Sequence, residues 1–291
     1  MRVRVSLPAL MKIPIVCIVG PTASGKSSRA VEEALARNGE IISVDSRQVY
    51  RGLNVGTEKI TVAEMRGVPH HLIDIRDPQE NYSAGDFVAD ATRLIQEISD
   101  HGGLPILVGG THFYFNALLG GLPMGVNANP ELRKELGKLS TGELFERVRS
   151  RDARRAEVLD PQNRRRLIRA LEIIEAKGEV PACVVQMPNY GIEWIVIDPP
   201  RERLRARIDA RLQGALERGL VEEVRRVRGA VGDARLNELG LEYKIVGEFL
   251  RNERTEESLL PTLSAKLWQY ARRQKAWLRK LHAEIFKVKR L

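Results

Sequence analysis

Residues 13–30 read IPIVCIVGPTASGKSSRA. The first seven are apolar and rich in β-branched side chains, the pattern of a strand covered on both faces. Gly20–Ser27 follow as GPTASGKS, which spells G-x-x-x-x-G-K-[ST], and an amphipathic helix pattern runs on through SSRAVEEALAR (27–37). A glycine-rich turn between a strand and a helix is a phosphate cradle. The glycines let backbone N–H groups point inward, and the helix adds its positive N-terminal end. Lys26 suits terminal phosphate oxygens, and the Ser27 hydroxyl suits Mg²⁺. Gly20, Pro21, Thr22, Ala23, Ser24, Gly25, Lys26 and Ser27 are therefore the candidate phosphate-binding set. A kinase, an ATPase, a GTPase or a transferase that moves no phosphoryl group can each open this way, so the loop alone does not choose the chemistry.

Outward from this loop, short apolar runs recur: EIISVD (40–45), HHLIDI (70–75), LPILVGG (104–110) and EWIVID (193–198). Helical patterns lie between them, as in DFVADATRLIQEISDHG (86–102). Alternation of strand and helix predicts an α/β fold, a parallel sheet with helices on both faces. The stretch from about Gly121 to Gln186 is charged and helical with no strand pattern, which predicts an all-helical insertion. After Asp198 the chain reads as helix again. The expected organisation is a core of residues 11–121 and 187–291 with a helical insertion at 122–186. Met11 is an alternative start, in which case residues 1–10 are a disordered N-terminal extension.

Composition excludes several classes. No apolar run in the 291 residues approaches the roughly 20 needed to span a membrane. Two cysteines, Cys17 and Cys183, supply neither a disulfide framework nor a zinc site, and predict a reducing, cytoplasmic compartment. The net charge of +9 is unevenly placed. Residues 1–145 hold 15 Lys+Arg against 16 Asp+Glu, whereas residues 146–291 hold 32 against 22. A neutral front and a basic back suit either a solubilising surface or an anionic macromolecule bound by the back half.

Other candidates stand at strand ends, where ligands of open parallel sheets bind. Asp45 ends the second apolar run. There it can hold Mg²⁺, take a proton, or serve as the N-cap of a helix that follows. Gln48, Tyr50 and Arg51 share one side of the segment after it; they suit recognition of a nucleobase, and a plain surface helix fits them equally. Thr111 ends the fourth run in VGGTHFYFNALLGGLP (108–123) and reads as the cap of the helix that follows; it faces the same rim, and a capping threonine with no ligand fits as well. Arg166 and Arg169 share a helix face, as do Arg207 and Arg211, and such pairs suit phosphate oxygens. His70 and His71 lack partners at ligand spacing and read as structural.

GPTASGKS, DSRQVYRGLNVGTEK, HHLIDIRDPQENYSAGDF, VGGTHFYFNALLGGLP and NRRRLIRALE, in that order, resemble the tRNA dimethylallyltransferases, also called tRNA isopentenyltransferases, of bacterial type. The resemblance implies a fold like that of nucleotide kinases, whose P-loop binds the diphosphate of dimethylallyl diphosphate with Mg²⁺. A prenyl group then passes to the exocyclic amine of the adenine 3′ of a tRNA anticodon. It implies Asp45 as general base, Thr111 at the bridging oxygen, and Lys26 and Arg207 at the diphosphate. Asp45, Ser46, Arg47 and Gln48 would meet the target base or its neighbours. Arg133, Arg165, Arg166 and Arg169 would meet the tRNA, with the insertion embracing the anticodon stem-loop. No obligatory protein partner is implied. The chain departs from the family pattern at His112 and at Leu267 and Trp268, where a Thr-Arg pair is usual. Alternatives are an adenylate isopentenyltransferase acting on free AMP, ADP or ATP, an ATP-binding P-loop kinase of small molecules, and a nucleic-acid-binding module with a degenerate nucleotide site.

Overall fold

The computed structural model describes residues 12–121, 126, 128–181 and 190–288, with side chains as far as Leu281. The expectation for residues 1–10 and the residue Cys183 lie outside this set. The chain divides into two compact units, one built from the stretches up to Leu119 and from Pro188 onward, the other from Gly120–Met187.

The first unit is a five-stranded parallel sheet. Its strands are β1 (Ile13–Val19), β2 (Gly39–Val44), β3 (His70–His71), β4 (Leu104–Gly109) and β5 (Tyr190–Val196), in the order β3-β2-β4-β1-β5. The register sets Val19 beside Gly109 and Val196, and Val44 beside Gly109. The ends of β1, β2 and β4 therefore share one rim. Successive side chains of a strand point to opposite faces, and both faces are apolar here. Ile15, Cys17, Val19, Ile42, Val44 and Leu107 join one core, whereas Val16, Ile18, Ile41, Ile106 and Val108 join the other. Cys17 is free and buried, a small core residue.

Helix α1 (Lys26–Arg37) covers the second face with Ala30, Val31 and Ala34. A short α2 (Val62–Met65) leads into β3, and the first face is covered by α3 (Ala84–Asp100) and α4 (His112–Gly120). After β5, the helices α9 (Arg201–Glu217), α10 (Leu220–Leu236), α11 (Leu241–Leu250) and α12 (Glu256–Val288) complete that core. Gly232, at φ 74, kinks α10. No described helix is long and apolar enough to cross a membrane.

One element differs from expectation. The run 70–75 reads as a full strand in the sequence, yet only His70–His71 pair, with Ile41 and Ile42. Leu72 and Asp74 take left-handed φ values of 62 and 54, which end the ladder. The chain turns so that the N–H groups of Asp74, Ile75 and Arg76 donate to the carbonyls of Gln48 and Val49. The apolar residues there serve a buried turn; Leu72 is in the core. His71 meets Glu40 at 2.6 Å and His70 meets the Val68 carbonyl at 2.8 Å, both local partners.

The described residues of the second unit form four helices: α5 (Pro130–Leu136), α6 (Thr141–Arg151), α7 (Ala153–Val158) and α8 (Arg164–Lys177). Each starts on a side-chain cap. Asn129, Ser140, Asp152 and Asn163 accept from the N–H groups of Leu132, Glu143, Arg155 and Arg166. Such a cap contributes about 1 kcal/mol, so a charged stretch with a small core still holds helical structure. That core is Leu136, Leu144, Val148, Leu167, Leu171 and Ile174. Glu172 is buried within it, and its carboxylate accepts a bidentate pair from Arg133 at 2.8 and 2.9 Å, one bond from Arg169 and one from the Asn129 N–H.

Candidate active site

The P-loop is built as its glycines require. Ala23 and Gly25 are left-handed, at φ 60 and 93. A side chain at Gly20 would strike the Ile197 carbonyl at 2.5 Å, so only glycine lets the chain leaving β5 pass there. Unlike the helices of the second unit, α1 starts on Gly25 with no side-chain cap and no acidic residue in its first turn. Its first N–H groups stay open to an anion. The Ser24 hydroxyl is buried with no partner.

These residues line a cavity of about 900 Å³ at the rim. Thr22 through Ser27, Asp45, Ser46, Arg47, Gln48, Gly110, Thr111 and Arg207 all border it. One site thus gathers the candidates from three strand ends and from α9. Gly20 and Pro21 are buried behind it. Lys26 donates to the Pro21 carbonyl at 2.8 Å. Burial lowers its ammonium pKa to about 8, against the pull of Asp45 and with the push of Arg211. Arg207 donates to the Ser24 carbonyl at 3.0 Å, holding its guanidinium at the loop.

Asp45 uses Oδ1 to accept from the N–H groups of Arg47 and Gln48, at 2.8 and 3.2 Å. It therefore caps the turn after β2 and also borders the cavity. The Thr111 hydroxyl does not cap α4; it accepts from the Ser46 N–H at 3.2 Å, while the Thr111 N–H donates to the Val44 carbonyl at 3.3 Å. The two residues flanking Asp45 are thus both tied to Thr111. The glycines before Thr111 permit this approach: a side chain at Gly109 would lie 2.0 Å from the Val44 carbonyl oxygen.

Other candidates are placed differently. Gln48 borders the cavity, but its amide meets the Ser43 hydroxyl and the carbonyls of Thr57 and Glu58. Tyr50 is buried in the core, and Arg51 pairs with Asp77; residues 46–53 form turns with no helix. In the second unit Arg165 and Arg166 are exposed, whereas Arg133 and Arg169 clamp Glu172. Leu267 is buried on the cavity wall, and Trp268 lies 5.8 Å from the guanidinium of each of Arg201 and Arg205. His112 stacks on Trp277.

Arg211, paired with Arg207 in the sequence, also borders the cavity, whereas Glu242, Tyr270, Arg273 and Gln274 border it without having been singled out there. Arg211 donates to the Thr22 hydroxyl and lies 3.6 Å from Glu242. Burial raises the Glu242 pKa, with Arg211 opposing. Tyr270, Arg273 and Gln274 come from α12. The R-I-D-A-R spacing is what pairs Arg211 with Arg207 in the sequence. Glu242 sits at the start of α11, where a glutamate usually reads as a dipole complement.

The Ser27 hydroxyl borders the cavity at the start of α1, beside Lys26. Among the described residues no cluster of three His, Cys, Asp or Glu could hold a metal. The donor set fits an ion that takes its other ligands from phosphate and water.

Residues 48–281 match the model of a family described as IPP transferase. The chain is 41% identical to a tRNA dimethylallyltransferase of Thermomicrobium roseum, over 92% of this chain and 84% of that one. It is 40% identical to a tRNA dimethylallyltransferase of Halalkalibacterium halodurans, over 92% and 89%. Among solved structures, a full-length tRNA isopentenylpyrophosphate transferase from Bacillus halodurans superposes with a TM-score of 0.69 at 39% identity, covering 92% of this chain and 87% of the other. A eukaryotic dimethylallyltransferase captured acting on tRNA gives 0.80 at 26% identity, covering 91% and 69%.

Proposed function

The chain belongs to the IPP transferase family, and from that premise we propose that it transfers a dimethylallyl group from dimethylallyl diphosphate to the N6 amine of the adenine 3′ of a tRNA anticodon. The observation that carries this reading is one cavity bordered by a phosphate loop, an arginine, a strand-end carboxylate and a strand-end threonine. The carbon–oxygen bond of the donor breaks, and diphosphate leaves with the electron pair. A bond forms between the allylic carbon and N6, and the amine proton passes to Asp45.

An adenine amine is a weak nucleophile because its lone pair is delocalised into the ring. The site must therefore favour both partners. The open N–H groups of the loop, Lys26 and Arg207 stabilise charge on the departing diphosphate. The Thr111 hydroxyl, which accepts from the Ser46 N–H and keeps its own proton, donates to the bridging oxygen. Asp45, held by two backbone N–H groups, keeps one oxygen for the proton. The Ser27 hydroxyl would hold Mg²⁺, which would supply further charge neutralisation at the phosphates. The base must leave its stack to enter the cavity, at a cost of a few kcal/mol. Contacts of the basic back half with tRNA offset that cost, and Arg165 and Arg166 are exposed for this. The cysteine usage supports a cytoplasmic compartment.

The test is one incubation of the purified chain with Mg²⁺ and dimethylallyl diphosphate, with unmodified tRNA in one tube and AMP in another. The expected result is prenyl mass on tRNA alone. Prenyl mass on AMP, or ATP hydrolysis with no prenyl product, overturns the reading.

A further inference from the structure

Gln274 stands on α12, some 160 residues beyond the rim it touches, and is 3% exposed. Its Oε1 accepts from the Thr22 N–H at 2.9 Å, and its Nε2 donates to the Gly110 carbonyl at 2.9 Å. Thr22 is a backbone donor and Gly110 a backbone acceptor, so only one orientation of the amide satisfies both. One buried side chain thereby joins the phosphate loop after β1 to the end of β4. A Cβ on Gly110 would lie 2.4 Å from Nε2, so the glycine is what admits the amide.

The chain of bonds continues from there. Thr111 comes directly after Gly110, donates from its N–H to the Val44 carbonyl, and accepts on its hydroxyl from the Ser46 N–H. Asp45 lies between Val44 and Ser46. The leaving-group cradle, the threonine and the proton acceptor sit on three different strand ends, and among these bonds the Gln274 amide is the one that ties the cradle to the other two.

We propose that Gln274 is a positioning residue for prenyl transfer, fixing the P-loop in register with Thr111 and Asp45. This rests on the reaction proposed above. An in-line displacement is sensitive to such register: a misplacement of about 1 Å can cost on the order of 10²-fold in rate. Neither neighbour in size replaces the amide. Methionine keeps the volume and loses both bonds. An ionised glutamate keeps the bond from Thr22 and sets a negative oxygen against the Gly110 carbonyl.

The experiment compares Gln274→Met, Gln274→Glu and Gly110→Ala with the wild type and with Leu263→Ala. Leu263 is buried on the same helix and does not border the cavity. Each protein is read for kcat, KM for tRNA, melting temperature, and amide hydrogen exchange in peptides covering 20–28 and 108–113. The three site variants are expected to lose about 10- to 100-fold in kcat with KM for tRNA within about twofold, and to exchange faster in both peptides. Leu263→Ala is expected to melt lower with kcat of the folded enzyme kept. The double variant Gln274→Met with Gly110→Ala is expected to lose no more than either single one, because both break the same link. Unchanged kcat and exchange in Gln274→Met, or kcat losses that track melting temperature on the line set by Leu263→Ala, overturn the proposal. Wild-type turnover reads the reaction itself, whereas hydrogen exchange reads the link without turnover. Should Gln274→Met not fold, Gln274→Glu and Gly110→Ala carry the same comparison.

Discussion

In the proposed site Lys26 would hold phosphate only while protonated, and burial pushes its pKa down to about 8. The contribution of Lys26 to diphosphate affinity is therefore expected to be full well below pH 8 and to fade as the pH rises through it. Titration calorimetry of wild type and Lys26→Met at pH 6.5 and 9.5 checks this, since the ligand's own titration is common to both; an affinity ratio between the two proteins that is equal at both pH values would remove Lys26 from the diphosphate site. Asp45 makes a different prediction. Asp45→Asn keeps an oxygen to accept from the Arg47 and Gln48 N–H groups and loses the proton acceptor. It is expected to bind tRNA as the wild type does and to turn over about 10²- to 10³-fold more slowly. A filter-binding assay beside the rate assay separates the two, and parallel loss of affinity would make Asp45 a binding residue. Residues such as these were legible in the sequence because strand ends and a phosphate loop announce where ligands go. Gln274 and Glu242 were not, because a polar residue on a long amphipathic helix reads as solvent-facing and a glutamate in a helix's first turn reads as a dipole complement. Only the packing of α12 and α11 on the sheet turns them inward.

At the scale of the element, the buried Glu172 binds α5 to α8. Burial acts to raise its pKa, and the bonds from Arg133, the Asn129 N–H and Arg169 outweigh that and hold it below the ordinary carboxylate range. A depressed carboxylate stabilises above its unfolded pKa and loses that contribution as the pH falls through the folded one. The second unit should accordingly loosen in acid. Arg133 is about half exposed, so Arg133→Ala is expected to cost about 1–3 kcal/mol, less than a fully buried pair would. Urea melts monitored by circular dichroism measure it, and an unchanged midpoint would show that Arg169 and the N–H suffice. Arg165→Ala and Arg166→Ala should instead leave the melt unchanged and weaken tRNA binding. Periodicity read the sheet and the helical stretch well, since apolar runs and side-chain caps are local signals. It misread residues 72–75, where apolar side chains are buried by a left-handed turn that no period reveals.

For the whole molecule, the charge asymmetry predicts a steep salt dependence of tRNA affinity. Each phosphate contact removed by substitution should lower the slope of log K against log salt by about one. A flat profile between 50 and 300 mM salt would end the electrostatic account. The strand order carries a further consequence, for biosynthesis. β1 lies between β4 and β5, yet β5 comes about 170 residues later in the chain. A ribosome adding about 5–20 residues per second leaves one side of β1 without its neighbour for on the order of ten seconds or more. During that time IPIVCIV presents an apolar, unpaired edge, the kind of segment that templates aggregation. The nascent chain is thus exposed to misassembly while its helical insertion is being made, and a chaperone that shields the first strand until the fifth arrives should raise the yield of soluble protein.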